Sequence, residues 1–139
     1  MSLTFVEFND EALDVFKAAW DTTGYQVFYE DLRDERESDE DPWCAIWFKH
    51  TTGRQATLNG AVGEKTFRRG GYITVQIFTP IGNGLQDSYA LAKVVTDAFE
   101  GSQTPGGAWF RNIRLNEVGR DGQFYQMNVI IEFSYDEIK

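Results

Sequence analysis

Hydrophobic and polar positions in residues 68–101 predict a strand, a tight turn and a helix in direct succession. Between residues 72 and 78, Ile73, Val75 and Ile77 alternate with Tyr72, Thr74, Gln76 and Phe78. This is the period of a strand with one apolar face. Pro80 should end the strand, because proline cannot donate a hydrogen bond to a neighbouring strand. We therefore expect the rest of the chain to pack onto this segment.

The predicted helix follows the turn at residues 82–84. Its apolar side chains recur mostly at intervals of three and four, as an amphipathic helix requires; they are Leu85, Tyr89, Leu91, Ala92, Val95, Ala98 and Phe99. Gly101 then provides a residue that can adopt the left-handed conformation at a helix end.

The first 50 residues predict a helix and two strands. Asn9 is a suitable N-cap for a helix over residues 10–20, whose apolar stripe consists of Leu13, Phe16, Ala19 and Trp20. Residues 25–29 predict a short edge strand. In residues 43–50 both alternating sets of positions are largely apolar. We expect this strand to be central and covered on both sides, by helices or by another subunit.

Residues 51–71 are less regular and predict an extended hairpin or arm. Residues 55–58 and 64–69 are candidate strands, and the glycines between them permit turns and bends. At the other end of the chain, residues 108–117 and 124–135 predict a hairpin around the turn at 119–122. We therefore predict one α+β domain over residues 1–139, with a mostly antiparallel β-sheet, two helices packed on one face and an extended β-hairpin or arm.

The formal charge of −9 is unevenly distributed. Residues 1–42 hold 13 Asp and Glu against 3 Lys and Arg, whereas residues 43–139 hold 9 against 10. An acidic balance disfavours sequence-independent nucleic-acid binding, which needs Lys and Arg to neutralise phosphates. The acidic run at 31–41 predicts a solvated loop. A calcium site is the alternative, but the run lacks the glycine and final glutamate of an EF-hand loop, and we expect no bound metal.

No catalytic constellation emerges from the sequence. The single Cys44 and single His50 are interpreted as a buried thiol and a strand-end polar residue, and together with Ser88 they match no nucleophile motif. The turn at 82–84 lacks the remaining residues of a dinucleotide-binding or P-loop motif, so we expect no cofactor.

No apolar run is long enough to span a bilayer, and no secretion signal opens the chain. We expect a non-enzymatic, soluble protein that stays in the cytoplasm where it is made.

Several segments, in order along the chain, carry a family resemblance. An Arg-Gly pair precedes the strand that ends in Val-Gln-Ile-Phe, a Pro-x-Gly-x-Gly turn follows at 80–84, and the next helix is rich in alanine and leucine. A Gly-Arg-Asp-Gly turn at 119–122 then leads to Tyr-Gln-x-Asn-Val. The chain resembles the tail terminator and minor tail proteins of long-tailed phages and prophages. The first helix and the strand at 43–50 also fit, whereas the acidic insert at 31–41 departs from the pattern.

The resemblance implies a structural protein that caps the growing tail tube, ends its polymerisation and helps join tail to head as a hexameric ring. Partners would be further copies of the chain, the tail tube protein and a head-completion or connector protein, with DNA passing through without specific binding. The location would be the virion tail, and the host cytoplasm during assembly. Candidate subunit or tail-tube contacts are Arg54, Lys65, Arg68, Arg69, Tyr72, Phe78 and Arg120, and candidate lumen-facing acids are Asp34, Glu35, Glu37, Asp39, Glu40 and Asp41.

We further expect the arm at 51–71 to order on assembly, with Arg68 and Arg69 bridging to acids of a neighbour. Two alternatives remain. One is another head-tail connector component, such as a stopper. The other is a small ligand-binding or enzymatic domain with a pocket between the second helix and the sheet.

Overall fold

The computed structural model describes residues 2–29, 41–57, 60–82 and 85–139, with Asp121 described by its backbone alone. The elements in chain order are α1 (Phe5–Trp20), β1 (Gln26–Tyr29), β2 (Trp43–Gln55), β3 (Thr66–Pro80), α2 (Gln86–Phe99), β4 (Trp109–Asp121) and β5 (Phe124–Ile138). The strands form one sheet in the order β1-β2-β3-β5-β4. Only β1 and β2 are parallel neighbours; the other pairs are antiparallel. The predicted α+β class, with helices packed against a mostly antiparallel sheet, is confirmed.

Strand β3 is the centre of the sheet. It pairs with β2 from Phe67 to Phe78 and with β5 from Thr66 to Pro80. Its predicted apolar positions Ile73, Val75 and Ile77 are fully buried. The prediction that Pro80 ends this strand is also confirmed.

Helix α1 starts earlier than the sequence pattern suggested. Thr4, and not Asn9, is the N-cap: its hydroxyl accepts a hydrogen bond from the Glu7 N–H, and the Glu7 carboxylate accepts one from the Thr4 N–H. This reciprocal capping box satisfies two of the N–H groups that a helix start leaves unpaired. The helix packs on the sheet through Phe8, whose ring lies 4.4 Å from that of Phe133 and 4.3 Å from that of Tyr135.

Helix α2 packs on the same face, and its predicted position and end are confirmed. Gly101 follows the helix with a φ of 71°, the left-handed conformation expected of it. The Ser88 and Thr79 hydroxyls share a buried hydrogen bond of 2.6 Å that ties the helix to the end of β3. Leu85 and Tyr89 were wrongly included in the buried stripe: they are 40% and 44% exposed, because α2 begins only at Gln86 and turns this side to solvent.

Of the two predictions for residues 51–71, an extended hairpin or an arm, the hairpin is confirmed. β2 continues to Gln55 and β3 begins at Thr66, so the two form one long hairpin. The first half of β3 also pairs with the end of β5, so this side of the hairpin belongs to the sheet. β4 likewise runs through the predicted turn at 119–122 to Asp121, and the reversal comes at Gly122, which has a φ of 63°.

A close backbone approach shapes the base of the long hairpin. Pairing of β2 with β3 shifts register between His50 and Thr52, which brings β2 against Gly70 and Gly71. A Cβ atom on Gly71 would lie 1.9 Å from the Lys49 carbonyl oxygen. Only glycine fits at this position without moving the backbone of β2.

We predict that Gly71→Ala destabilises the protein by about 2–3 kcal/mol, because the clash is with backbone that other strands hold in place. The control is Gly53→Ala in the same hairpin. There the nearest atom to the new Cβ is the Arg69 Nη1 at 3.6 Å, and the substitution should change stability by less than about 1 kcal/mol. Urea unfolding measures both. Equal effects of the two substitutions would contradict this account of β2.

Candidate assembly interface

The sheet has two chemically different faces. Both helices cover one face; we call the other the open face. Side chains on it alternate with buried ones along each strand; from β2, β3 and β5 they include Trp43, Ala45, Trp47, Tyr72, Gln76, Asn128 and Ile130, all of them half-buried. No element in the described part of the chain packs over this face. Within the described residues β2 is covered on one side only, where Cys44 and Ile46 are buried. Cover of its other side by helices is therefore wrong, and cover by another subunit stays a prediction.

An aromatic cluster occupies one end of the open face. The Trp43 ring stacks on Phe78 with centroids 4.0 Å apart. Phe28 and Phe124 meet the same tryptophan edge-on at 5.1 Å and 5.9 Å. The predicted contact residue Phe78 is consequently only 8% exposed, and it would act in an interface mainly by holding Trp43 in place.

The middle of the open face is a shallow apolar depression of about 260 Å³. Trp47 of β2, Tyr72 of β3 and Ile130 of β5 line it together with Lys49, Thr74 and Arg114. The Arg114 guanidinium lies 6.0 Å from the centre of the Tyr72 ring. The predicted contact residue Tyr72 thus lies in a surface of tryptophan, tyrosine and arginine, the residue types that carry most binding energy in protein interfaces.

An open cleft of about 530 Å³ lies at the opposite end of the sheet from the aromatic cluster. We call it the arginine cleft. Four arginines line it, together with three residues of the β2 bulge, an indole and a serine; they are Arg54, Arg68, Arg69, Arg111, Thr51, Thr52, Gly53, Trp109 and Ser134. These side chains come from β2, β3, β4 and β5, and they meet because the ends of the four strands are brought together by the sheet.

Two of the four arginines are paired within the chain. Arg68 binds Asp136 with two hydrogen bonds of 2.9 and 3.1 Å and lies over the Trp109 ring at 5.3 Å. The hydrogen bonds to Asp136, followed by its charge, raise the pKa of Arg68. Arg69 bonds Glu137 at 3.0 Å. A bridge from either arginine to a neighbouring copy would therefore have to extend or replace an existing ion pair.

The other two arginines keep the cleft positive. Arg54 and Arg111 are exposed, and neither has an ion pair with any described residue. Glu132 lies opposite Arg111 across the strands, but its carboxylate accepts a hydrogen bond from Asn112. Among the described residues the cleft keeps a net positive charge, because four guanidinium groups face three carboxylates, those of Asp136, Glu137 and Glu132.

The remaining predicted contact residues do not join one site. Lys65 is half-buried beside the arm end of the sheet, where its carbonyl accepts a hydrogen bond from the Lys139 N–H. Arg120 is exposed at the opposite end, in register with Tyr125. Among the predicted acids only Asp41 is described, and it is exposed. The other five, Asp34, Glu35, Glu37, Asp39 and Glu40, lie outside the described residues.

Sequence reasoning missed Trp47, Trp109, Arg111 and Ile130 as candidates. Trp47 could have been identified from the sequence, because a strand that is apolar on both faces needs a layer of protein packed against each of them. Nothing local distinguished Arg111 from any exposed strand arginine, because its cleft forms from strands distant in sequence.

The side chains that could act as nucleophile or base lie far apart in the structure. His50 Nε2 lies 2.6 Å from the Tyr135 hydroxyl under α1. Cys44 is fully buried on the same strand, six residues away, or about 20 Å at the rise of a strand. Burial raises the pKa of the Cys44 thiol, which disfavours a reactive thiolate. Ser88 bonds Thr79 instead, so the three residues weighed as nucleophile and base do not meet. Among the described residues no group of three or more His, Cys, Asp or Glu could hold a metal ion.

The comparisons with known proteins bear on the fold alone. No protein-family model matches the chain, and no curated protein matches it. One solved structure, whose name states no function, superimposes with a TM-score of 0.59 at 14% identity, over 88% of this chain and 94% of its own. A likeness at this identity supports the fold and says nothing of function. No helix in the described part of this chain is long and apolar enough to cross a membrane.

We predict that the free energy of unfolding falls as the pH is lowered from 7.5 to 5.5, because of the protonation of His50. Burial, and then the charge of Arg69, lower the pKa of His50 from 6.5. The unfolded chain therefore binds the proton more readily, and stability present above pH 6.5 is lost as the pH falls through that value. The thermal midpoint of His50→Gln should depend less on pH over this range.

Tyr135→Phe is the matched control. Burial raises the pKa of Tyr135 to about 12, so this hydroxyl does not titrate in the range. The variant should keep the pH dependence while losing the hydrogen bond. A His50→Gln curve parallel to that of the unmodified protein would overturn this prediction.

Proposed function

We propose that this protein is a tail terminator or tail-completion protein of a long-tailed phage or prophage. It caps the tail tube as a ring of identical subunits, ends tube polymerisation and presents a surface for joining to the head. Its work is done by protein interfaces, with no catalytic step.

The observation that supports this proposal is the uncovered open face. A sheet with one face packed on helices can expose a polar second face to water. Here the second face instead carries Trp43, Trp47, Tyr72 and Ile130, with no covering layer among the described residues. A contiguous patch of large aromatic groups on one side of a subunit is typical of a protein-binding surface.

The resemblance in sequence supports the specific role in a phage tail. The three elements that carry the resemblance are β3, which ends at Pro80, the helix α2 after it, and the hairpin of β4 and β5. Two of these strands, β3 and β5, supply the centre of the open face. The acidic first part of the chain suits a ring through which DNA passes without being held.

Another head-tail connector component would use the same fold and the same open face, so it remains the alternative within this biology. A ligand-binding domain with a pocket under α2 has less support. Between α2 and the sheet the space is filled by side chains no more than 7% exposed, among them Leu91, Val95 and Phe99. The apolar depression and the arginine cleft both lie on the open face.

Light scattering over a wide concentration range, with and without magnesium, tests the proposal together with electron microscopy of the largest species. Rings of six, or a monomer that becomes a ring when tail tubes are added, support it. A strict monomer or dimer that ignores tail tubes overturns it.

We predict that Trp47→Glu raises the protein concentration or tail-tube concentration needed for half-maximal assembly by about thirtyfold, the loss typical of an interfacial tryptophan. Leu115→Glu is the control, since Leu115 is an apolar residue 42% exposed on β4 away from the open face. It should assemble normally. Circular dichroism confirms that both variants are folded. Unchanged assembly of a folded Trp47→Glu variant would show that the open face is not the interface.

A further inference from the structure

Two surfaces of this protein keep like charges together at a cost in stability. The first is the arginine cleft, where Arg54 and Arg68 are directly opposite each other on β2 and β3. Like charges at directly paired strand positions destabilise a sheet. Asp136 compensates Arg68, but Arg54 has no ion pair with a described residue.

The second surface is the exposed side of α1. Glu7, Asp10 and Asp14 are exposed there, opposite the side that buries Phe8 and Ala12. We call these three residues the acidic stripe. Asp10 and Asp14 are four residues apart, a spacing at which like charges destabilise a helix.

Local structure explains only one of these acids. Glu7 completes the capping box with Thr4 in the first turn. Asp10 and Asp14 lie beyond that turn, where the helix dipole contributes little. Neither forms an ion pair with a described residue. Lys17 follows on the same side, and its ammonium group lies over the Tyr29 ring at 5.2 Å.

The acidic stripe and the open-face arginines of the cleft do not meet within one subunit, although Arg69 lies over the Phe5 ring of α1 at 4.6 Å. α1 packs on the helix-covered face through Phe8, with its acidic stripe pointing away from the sheet. Arg54, Arg68 and Trp109 reach the cleft from the open face. Complementary surfaces on opposite sides of one molecule join different copies head to tail, and such a contact closes into a ring when the rotation per subunit allows it.

We propose that the arginine cleft of one copy receives the acidic stripe of α1 from the next copy. This inference rests on the proposed ring and names the contact that closes it. Arg54 and Arg111 supply the excess positive charge of the cleft, and Asp10 and Asp14 supply the matching negative charge. Arg68, held between Asp136 and Trp109, is oriented before the contact forms. Both like-charge repulsions are relieved in the same step.

Charge-neutral variants test the direction of the contact. The cleft variant carries Arg54→Gln and Arg111→Gln; the stripe variant carries Asp10→Asn and Asp14→Asn. Each alone should need at least about tenfold more protein to assemble, the effect of losing a complementary charged contact. Mixed in equal amounts, they should stop at one-to-one dimers, because each keeps only one intact surface.

Charge-reversal variants give the converse result. The cleft variant Arg54→Glu with Arg111→Glu and the stripe variant Asp10→Lys with Asp14→Lys should each fail to assemble alone. Their mixture should regain rings, since the two altered surfaces match each other and the two unaltered surfaces still match. Native mass spectrometry of the mixture should show the two chains in equal numbers.

Lys93→Gln and Glu100→Gln are the controls, because both residues are exposed and neither belongs to the cleft, the stripe or the candidate contacts. Both should assemble as the unmodified protein does, and thermal unfolding should show every variant folded. Assembly should also weaken as salt is raised, because the screening length shortens from about 10 Å at 0.1 M to about 3 Å at 1 M.

The contact is overturned if the neutral variants form rings at the unmodified concentration; the proposed function then stands and another surface closes the ring. It is also overturned if only the cleft variant loses assembly and inorganic phosphate binds the cleft, which would make this a small-anion site. An unmodified protein that stays monomeric with tail tubes present removes the ring and this contact together.

Discussion

The pairing of β3 on both of its sides is the constraint on which the rest of the structure depends. β3 is hydrogen-bonded to β2 and to β5 along almost its whole length. Its residues Ile73, Val75 and Ile77 form the floor beneath both helices. Gly71 lets the β2 backbone approach closely enough to keep pairing past the register shift at His50. Without that approach the long hairpin would separate from the sheet at its base, and the ends of β2, β3, β4 and β5 would not meet.

From this central strand follows the unequal character of the two faces. Aromatic side chains such as Phe8, Phe133 and Tyr135 stack between α1 and the sheet and close the covered face. The open face has no equivalent layer in the described residues, and Trp43 and Trp47 therefore pack only on neighbours within the sheet. Each tryptophan still has apolar surface to lose on contact with another protein, which contributes to binding in proportion to the area removed from water.

Charge is arranged with the same asymmetry. Natural sequences are locally consistent except at sites that serve a function, where a local cost is offset by a gain elsewhere. Arg54 opposite Arg68, and Asp10 one turn before Asp14, are two such local costs. The first lies at the arm end of the open face and the second on the outer side of α1. Ion pairs with Asp136 and Glu137 neutralise part of the cleft, so its remaining positive charge is concentrated on Arg54 and Arg111.

The sequence by itself determined the periodic elements of this protein. Alternation at 72–78 and spacings of three and four after residue 84 report burial directly, so β3, α2 and the last hairpin were predicted together with their core residues. Capping at Thr4 was missed, because Asn9 offers the same local signal and only packing selects the start of α1. The candidate interface was predicted in part, through Arg54, Arg68 and Tyr72. Only the tertiary structure decided that Arg68 pairs with Asp136, that Arg54 and Arg111 share a cleft, and that no described element covers the second face of β2, because each depends on strands far apart in the chain.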